Sequence, residues 1–104
     1  MTNVNLDNFD AEVMQAQTPV VVDFWASWCG PCMMLAPVME ALEPEVPGVK
    51  FCKVNVDEQP GLATMFGIDS IPTLAVVQDR HTLTGMVGVH DKADVKAMLE
   101  QCKA

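Results

Sequence analysis

Two cysteines stand two residues apart in the run Trp28-Cys29-Gly30-Pro31-Cys32. Thiols at that spacing can interconvert between a dithiol and a disulfide and so pass electrons to a partner. The same spacing also serves as half of a zinc site. Zinc takes four ligands, however. The chain offers no second C-x-x-C, and His81 and His90 are isolated, so no metal is expected. The run follows the apolar stretch Val20 to Ala26 and opens a helical pattern, which puts Cys29 just before a helix at an exposed N-terminus. Free amide N–H groups and the helix dipole favour an anion there, which lowers a thiol pKa and makes Cys29 the attacking thiolate. Cys32 lies three residues before Leu35, on the inward side of the helix, and a shielded second thiol suits the resolving step. Gly30 and Pro31 shape the turn. Neither the motif nor Met33-Met34 supplies a cation that would stabilise the thiolate further, which points to a reductant and not an oxidant. Asp23 interrupts the apolar stretch. Burial raises a carboxyl pKa, so Asp23 is either the acceptor of the Cys32 proton or a buried acid held by a local hydrogen bond or near a strand edge.

These residues need a scaffold, and the hydrophobic pattern supplies one. Asp7 is placed to cap a first helix with Phe9 and Val13 on one face. Val20 to Ala26 is almost continuously apolar, as in a strand buried on both sides. A helix follows, with Pro31 in its first turn and Leu35, Val38, Met39 and Leu42 at core spacing. Pro37 inside it should bend it or cost a hydrogen bond, and the segment from Glu43 to Gly48 ends it. Phe51 to Val56 reads as a strand. Pro60 opens a short helix with Leu62, Met65 and Phe66 facing inward, stopped by Gly67. Thr73 to Gln78 is a further strand, Asp79-Arg80-His81 turns the chain, and Leu83 to Val89 returns as its hairpin partner. Asp91 caps a last helix with Val95, Met98, Leu99 and Cys102 on its inner face. With a weak first strand near Val4, the order is β-α-β-α-β-α-β-β-α. That predicts an α/β fold with a central mixed five-stranded sheet and about four helices covering both faces.

The chain has 104 residues, half of them hydrophobic, which predicts one domain over residues 1–104 with a packed core. A net charge of −8 argues against nucleic acid and anionic membranes as partners. No segment approaches the roughly 20 apolar residues of a membrane span. The start, Met1-Thr2-Asn3-Val4-Asn5, lacks the basic and apolar regions of a signal peptide. Cys52 and Cys102 each sit inside an apolar pattern, as buried, inert thiols, and no disulfide framework is visible. A reducing, cytoplasmic setting follows. Met14, Met39, Met65 and Met98 read as core-filling residues, although surplus methionine can also form an adaptable docking surface.

Taken together, Asp23-Phe24-Trp25-Ala26, Trp28-Cys29-Gly30-Pro31-Cys32, Pro37, Lys53-Val54-Asn55-Val56-Asp57, Gly67-Ile68, Ile71-Pro72-Thr73 and Gly88 cover nearly the whole chain and resemble the thioredoxin family. The resemblance implies the thioredoxin fold and a protein-disulfide reductase active as a monomer, with no bound cofactor. Its partners would be a thioredoxin reductase and disulfide-bearing target proteins. It makes Cys29 the nucleophile, Cys32 the resolving thiol and Cys29–Cys32 the redox disulfide, with Asp23 the buried acid beneath them and Lys53 beside it. It gives Pro72 a cis peptide bond that faces the disulfide and exposes backbone of Ile71 to a substrate strand, with Gly88 leaving room. Trp28, Gly30, Pro31 and Met33 complete the substrate surface. Outside the resemblance, Lys53 reads as a surface charge, and the alternative for Pro72 is an ordinary strand-start proline. The chain departs from the family at Met33, where a cation is common, at Asp69-Ser70, and at Asp79-Arg80, where a glycine turn is common. The rival reading is a binding module, in which the same fold serves as a chaperone-like subunit of one partner.

Overall fold

The structure is a computed structural model and describes residues 1–103. Its centre is β2, Val20–Trp25, in which Val20, Val21, Val22, Asp23 and Phe24 are all buried. A strand so apolar is stable only with both faces covered and both edges paired. It lies parallel to β3, Lys50–Asn55, and antiparallel to β4, Thr73–Gln78. The short β1, Thr2–Asn3, and the last strand β5, His81–Val87, form the edges, giving the order β1-β3-β2-β4-β5. Side-chain alternation divides the core in two. Val21 meets Leu35, Met39, Leu42, Leu74, Val95 and Leu99 on the side of α1, Gly30–Leu42, and α3, Lys92–Cys102. Val20, Val22 and Phe24 meet Phe9, Val13 and Leu62 on the side of α2, Pro60–Met65, where Phe66 stacks edge-on against Phe9 at 5.8 Å.

The expected α/β architecture is present, with several local differences. Asp7 is not the first cap. Asn5 Oδ1 instead accepts from the N–H groups of Asp7 and Asn8, and Asn8 Oδ1 accepts from the Asn5 N–H. Asparagine binds its own local backbone more readily than a helix can form there, and the chain winds only a π-helical turn over Asp10–Met14. Pro31 occupies the first turn of α1, Pro37 lies within the helix, and a 3₁₀ turn at Glu43–Glu45 continues it. Met65 points to solvent, 61% exposed. Leu62 and Phe66 hold the inner face of α2, and each neighbouring residue is rotated about 100° away. Met14 is half-buried, whereas Met39 and Met98 do fill the core. Gly67 ends α2 with a φ of +65°, a conformation that favours glycine. At the hairpin tip Asp79 and Arg80 take φ of 54° and 68°, so these two residues form the left-handed turn without glycine. Asp91 caps α3, its carboxylate accepting from the Asp94 N–H at 2.9 Å. No helix among the described residues is long and apolar enough to cross a membrane.

Candidate active site

The carboxyl end of β2 delivers the chain into the N-terminus of α1, and Cys29 is the N-cap residue there. Its extended backbone, φ −88° and ψ 107°, turns Sγ back over the first turn, where the Cys32 N–H donates to it at 3.2 Å. A free N–H that would otherwise lack a partner therefore addresses the sulfur directly. Cys29 and Cys32 form a disulfide with Cα atoms 5.3 Å apart. Cys32 is buried, as its place on the inward face requires. Cys29 is not exposed as its position at the helix end suggested. It is 4% accessible, because Ala26, Trp25, Val56 and Ile71 pack around the pair. The Ile71 carbonyl oxygen lies 3.9 Å from Cys29 Sγ.

Behind the pair, β2 and β3 run in a register that sets Asp23 directly opposite Lys53. Asp23 is buried, and its Oδ1 has no hydrogen-bond partner, so the local hydrogen bond considered from sequence is not made at that atom. Desolvation pushes its carboxyl up from 3.8 to about 6, and the positive charge of Lys53 opposes the rise. Lys53 forms no ion pair among the described residues. Its Nζ sits 5.5 Å from the centroid of the Trp25 ring. The Trp25 Nε1 is likewise buried without a partner. Both orphaned atoms belong to residues lining a cavity of about 220 Å³, together with Cys32, Met33, Glu40 and Lys53. Asp23, Trp25, Lys53 and the disulfide-bonded Cys32 thus line one small space between α1 and the sheet. Proton transfer to or from Cys32 is the chemistry it equips.

On the other side of the disulfide, Trp28 is 70% exposed and donates its indole N–H to Asp57 at 2.7 Å. The Ile71–Pro72 peptide is cis, and the Gly88 N–H donates to the Pro72 carbonyl at 2.8 Å, bringing Gly88 beside it at a φ of +88°. Gly30 and Pro31 lie at the surface of the first turn, and Met33 is 45% exposed. The sequence-derived set is therefore gathered at one end of the sheet. Asp57, Glu40 and Asp69 were not assigned roles from sequence. A buried or ordered indole N–H calls for an acceptor, but nothing local to Trp28 shows that this acceptor lies 29 residues away.

The remaining cysteines are apart from this site and from each other. Cys52 is enclosed in the apolar cluster beneath α2, and burial pushes its thiol up to about 11. Cys102 packs against the opposite cluster and is only half-buried, not buried as expected, because the last turn of α3 reaches the rim of the core. No group of three or more His, Cys, Asp or Glu side chains converges to hold a metal ion among the described residues.

The geometry has counterparts. The Thioredoxin family model matches residues 1–101. The chain is 42% identical over 93 residues to Thioredoxin of Streptomyces clavuligerus, covering 89% of this chain and 87% of that protein. It is 42% identical over 95 residues to Thioredoxin of Chlorobaculum thiosulfatiphilum, covering 90% and 88%. Thioredoxin M5, chloroplastic, of Oryza sativa subsp. japonica is 40% identical over 95 residues, which is 90% of this chain and 55% of that protein.

Proposed function

The chain belongs to the thioredoxin family, and on that premise we propose how its residues divide the work of disulfide reduction. It is a protein-disulfide reductase, a thiol–disulfide oxidoreductase that reduces target disulfides and is recycled by a reductase. The observation that carries the assignment is the Cys29–Cys32 disulfide at the N-cap of α1, with a backbone N–H already directed at Cys29 Sγ. In the reduced chain Cys29 is the thiolate held by that N–H and the helix end. It attacks one sulfur of a target disulfide. The target S–S bond breaks, a mixed disulfide forms, and the departing target sulfur takes up a proton. Cys32 then gives up its proton and attacks Cys29 Sγ. The mixed disulfide breaks, the second target sulfur leaves as a thiol, and Cys29–Cys32 is again a disulfide. Two electrons have passed from the chain to the target, whose two sulfurs have taken up one proton from solvent and the equivalent of the one that Cys32 gave up.

Asp23 is the group we assign to the Cys32 proton. A carboxyl that titrates near 6 is largely ionised at neutral pH, yet basic enough to accept a proton briefly. Lys53 moderates its basicity by charge, across the cavity both share with Cys32. Trp28, Gly30, Pro31, Met33, Ile71, Pro72 and Gly88 form the docking surface. The Ile71 carbonyl lies beside the disulfide, where a target strand can pair with the backbone. We further propose that residues 1–104 act as one monomeric domain in the reducing cytoplasm, with a thioredoxin reductase and disulfide-bearing proteins as partners and no part for nucleic acid or membranes. The two free thiols and the net charge of −8 support this reading.

Insulin-disulfide reduction, driven in turn by an NADPH-flavin reductase and a ferredoxin-linked one, tests the assignment. Turnover with one of them, lost in Cys29→Ser, is expected. A double Cys29/Cys32 serine variant that keeps full biological activity would instead establish the binding-module reading.

A further inference from the structure

Beside the disulfide lies a groove of about 220 Å³, lined by Trp28, Val56, Ala63, Ile68, Asp69, Ser70 and Ile71. Val56, Ala63, Ile68 and Ile71 give it an apolar lining. One wall is the exposed Trp28 ring, and Asp69 is the one charged side chain in the lining. Asp69 is exposed and makes no ion pair among the described residues. A second carboxylate, Asp57, is bonded to the indole N–H of the same wall. Resting on the reductase reading above, we propose that this groove is a specificity subsite for a lysine or arginine side chain carried by the target close to its disulfide.

The chemistry matches part by part. The aliphatic stem of a lysine or arginine covers an apolar lining while its charged head stays at the rim. The face of a tryptophan attracts a cation. Asp69 supplies the counter-charge at the rim, and Asp57 adds negative potential behind the ring. An acidic side chain in the same place would meet the Asp69 carboxylate, with Asp57 adding negative potential nearby, so the groove disfavours it. The groove ends at Ile71, whose carbonyl oxygen is 3.9 Å from Cys29 Sγ. A target strand paired there therefore sets a side chain into the groove while its disulfide meets Cys29. The overall charge of −8 steers cationic targets in the same sense.

The test compares three disulfide-cyclised peptides that differ only beside one cysteine, where they carry lysine, glutamate or glutamine. Each is reduced by the dithiol form of the full chain at low and at high salt. Exposed ion pairs and cation–π contacts predict a kcat/KM for the lysine peptide roughly five times that for the glutamine peptide, with the glutamate peptide slower still and the spread narrowing with salt. Asp69→Asn should shrink the lysine–glutamate spread, and Asp69→Lys should reverse it, while Asp7→Asn, the same change of net charge at a distant exposed acid, should leave it unchanged. Equal rates for all three peptides with the unmodified chain would overturn the subsite. So would a spread that survives in both Asp69 variants, or one that Asp7→Asn reduces as much as Asp69→Asn does. Failure to reduce even the glutamine peptide would count against the reductase assignment itself, which separates the two readings.

Discussion

Cys32 and Cys52 are equally hidden from solvent, at 2% and 0% accessibility, yet they occupy opposite kinds of interior. Cys52 sits in the middle of β3 among Val4, Val22, Val54 and Leu62, where desolvation outweighs the attraction of Lys50 and the N-terminal amine. Its thiol is pushed up to about 11, chiefly by burial. Cys32 sits in the first turn of a helix and borders a cavity that also holds Asp23, Trp25 and Lys53. Burial by itself thus makes a cysteine inert. A shielded thiol becomes chemically useful when polar groups share its enclosure and one of them can take its proton. The same contrast holds between two of the carboxylates, Glu45 and Asp23. Glu45 lies at the surface between Lys92 and Lys96, whose hydrogen bonds hold its carboxyl below the usual range, whereas Asp23 is raised to about 6.

The sharpest break of this comparison is to remove each sulfur in turn. Cys29→Ser should abolish insulin reduction, because the N-cap sulfur is lost and Cys32 is left without the partner that closes the disulfide. Cys52→Ala should leave the rate unchanged and cost only about 1 kcal/mol of stability, the order expected for deleting one buried heavy atom. Loss of reduction in Cys52→Ala, measured beside its denaturation midpoint, would mean that the inert cysteine is not inert.

Alkylation sharpens the comparison next. A thiol titrating near 11 holds only about one part in 10⁴ of its population as thiolate at pH 7. In the reduced native chain, iodoacetamide should therefore modify Cys29 first, Cys32 far more slowly and Cys52 essentially not at all. Mass spectrometry of timed digests reads the order directly, and equal labelling of Cys29 and Cys32 would defeat their division of labour.

Asp23→Asn tests the cavity. A folded carboxyl at about 6, against an ordinary 3.8, penalises the folded state once Asp23 ionises. The penalty is absent below pH 3.8, grows through the interval up to about 6, and levels off above it. At neutral pH it is about 3 kcal/mol. Asparagine cannot ionise, so the variant should gain stability over the wild type with just this pH dependence. It should also release mixed disulfides more slowly, having lost the acceptor for the Cys32 proton. Denaturation midpoints from pH 4 to 8, with single-turnover rates, check both. A variant less stable at pH 8 would show that Asp23 is solvated.

The smallest effect belongs to Met33→Lys. Met33 is 45% exposed at the mouth of the cavity, so a cation there acts on the sulfurs through partly screening solvent. The Cys29 pKa should fall by a fraction of a unit in a thiolate-absorbance titration, and an unchanged or higher value would separate Met33 from the reacting sulfur.

Much of this molecule was legible in the chain because its causes are local. The apolar run of β2, the cap at Asp91, the proline at the start of α1 and the spacing of Cys29 and Cys32 each act within a few residues, and each lies where the pattern put it. Strand ends shifted by only a residue or two. Local reading failed where a neighbour distant in sequence intervened, or where two local preferences competed. Asn5 outcompeted Asp7 at the first turn, and the inner face held by Leu62 and Phe66 left Met65 rotated into solvent. The cover over Cys29 comes from Ile71, 42 residues on, and the acceptor for Trp28 from Asp57. Sequence placed an acid inside an apolar strand, but whether that acid would find a partner depended on the β2–β3 register and on what α1 laid over it. Spacing along the chain specifies which groups are close when a few residues separate them. The cavity behind Cys32 and the groove beside Trp28 exist only once the sheet and its helices have packed, because their walls come from strands, helices and loops that no short-range rule connects.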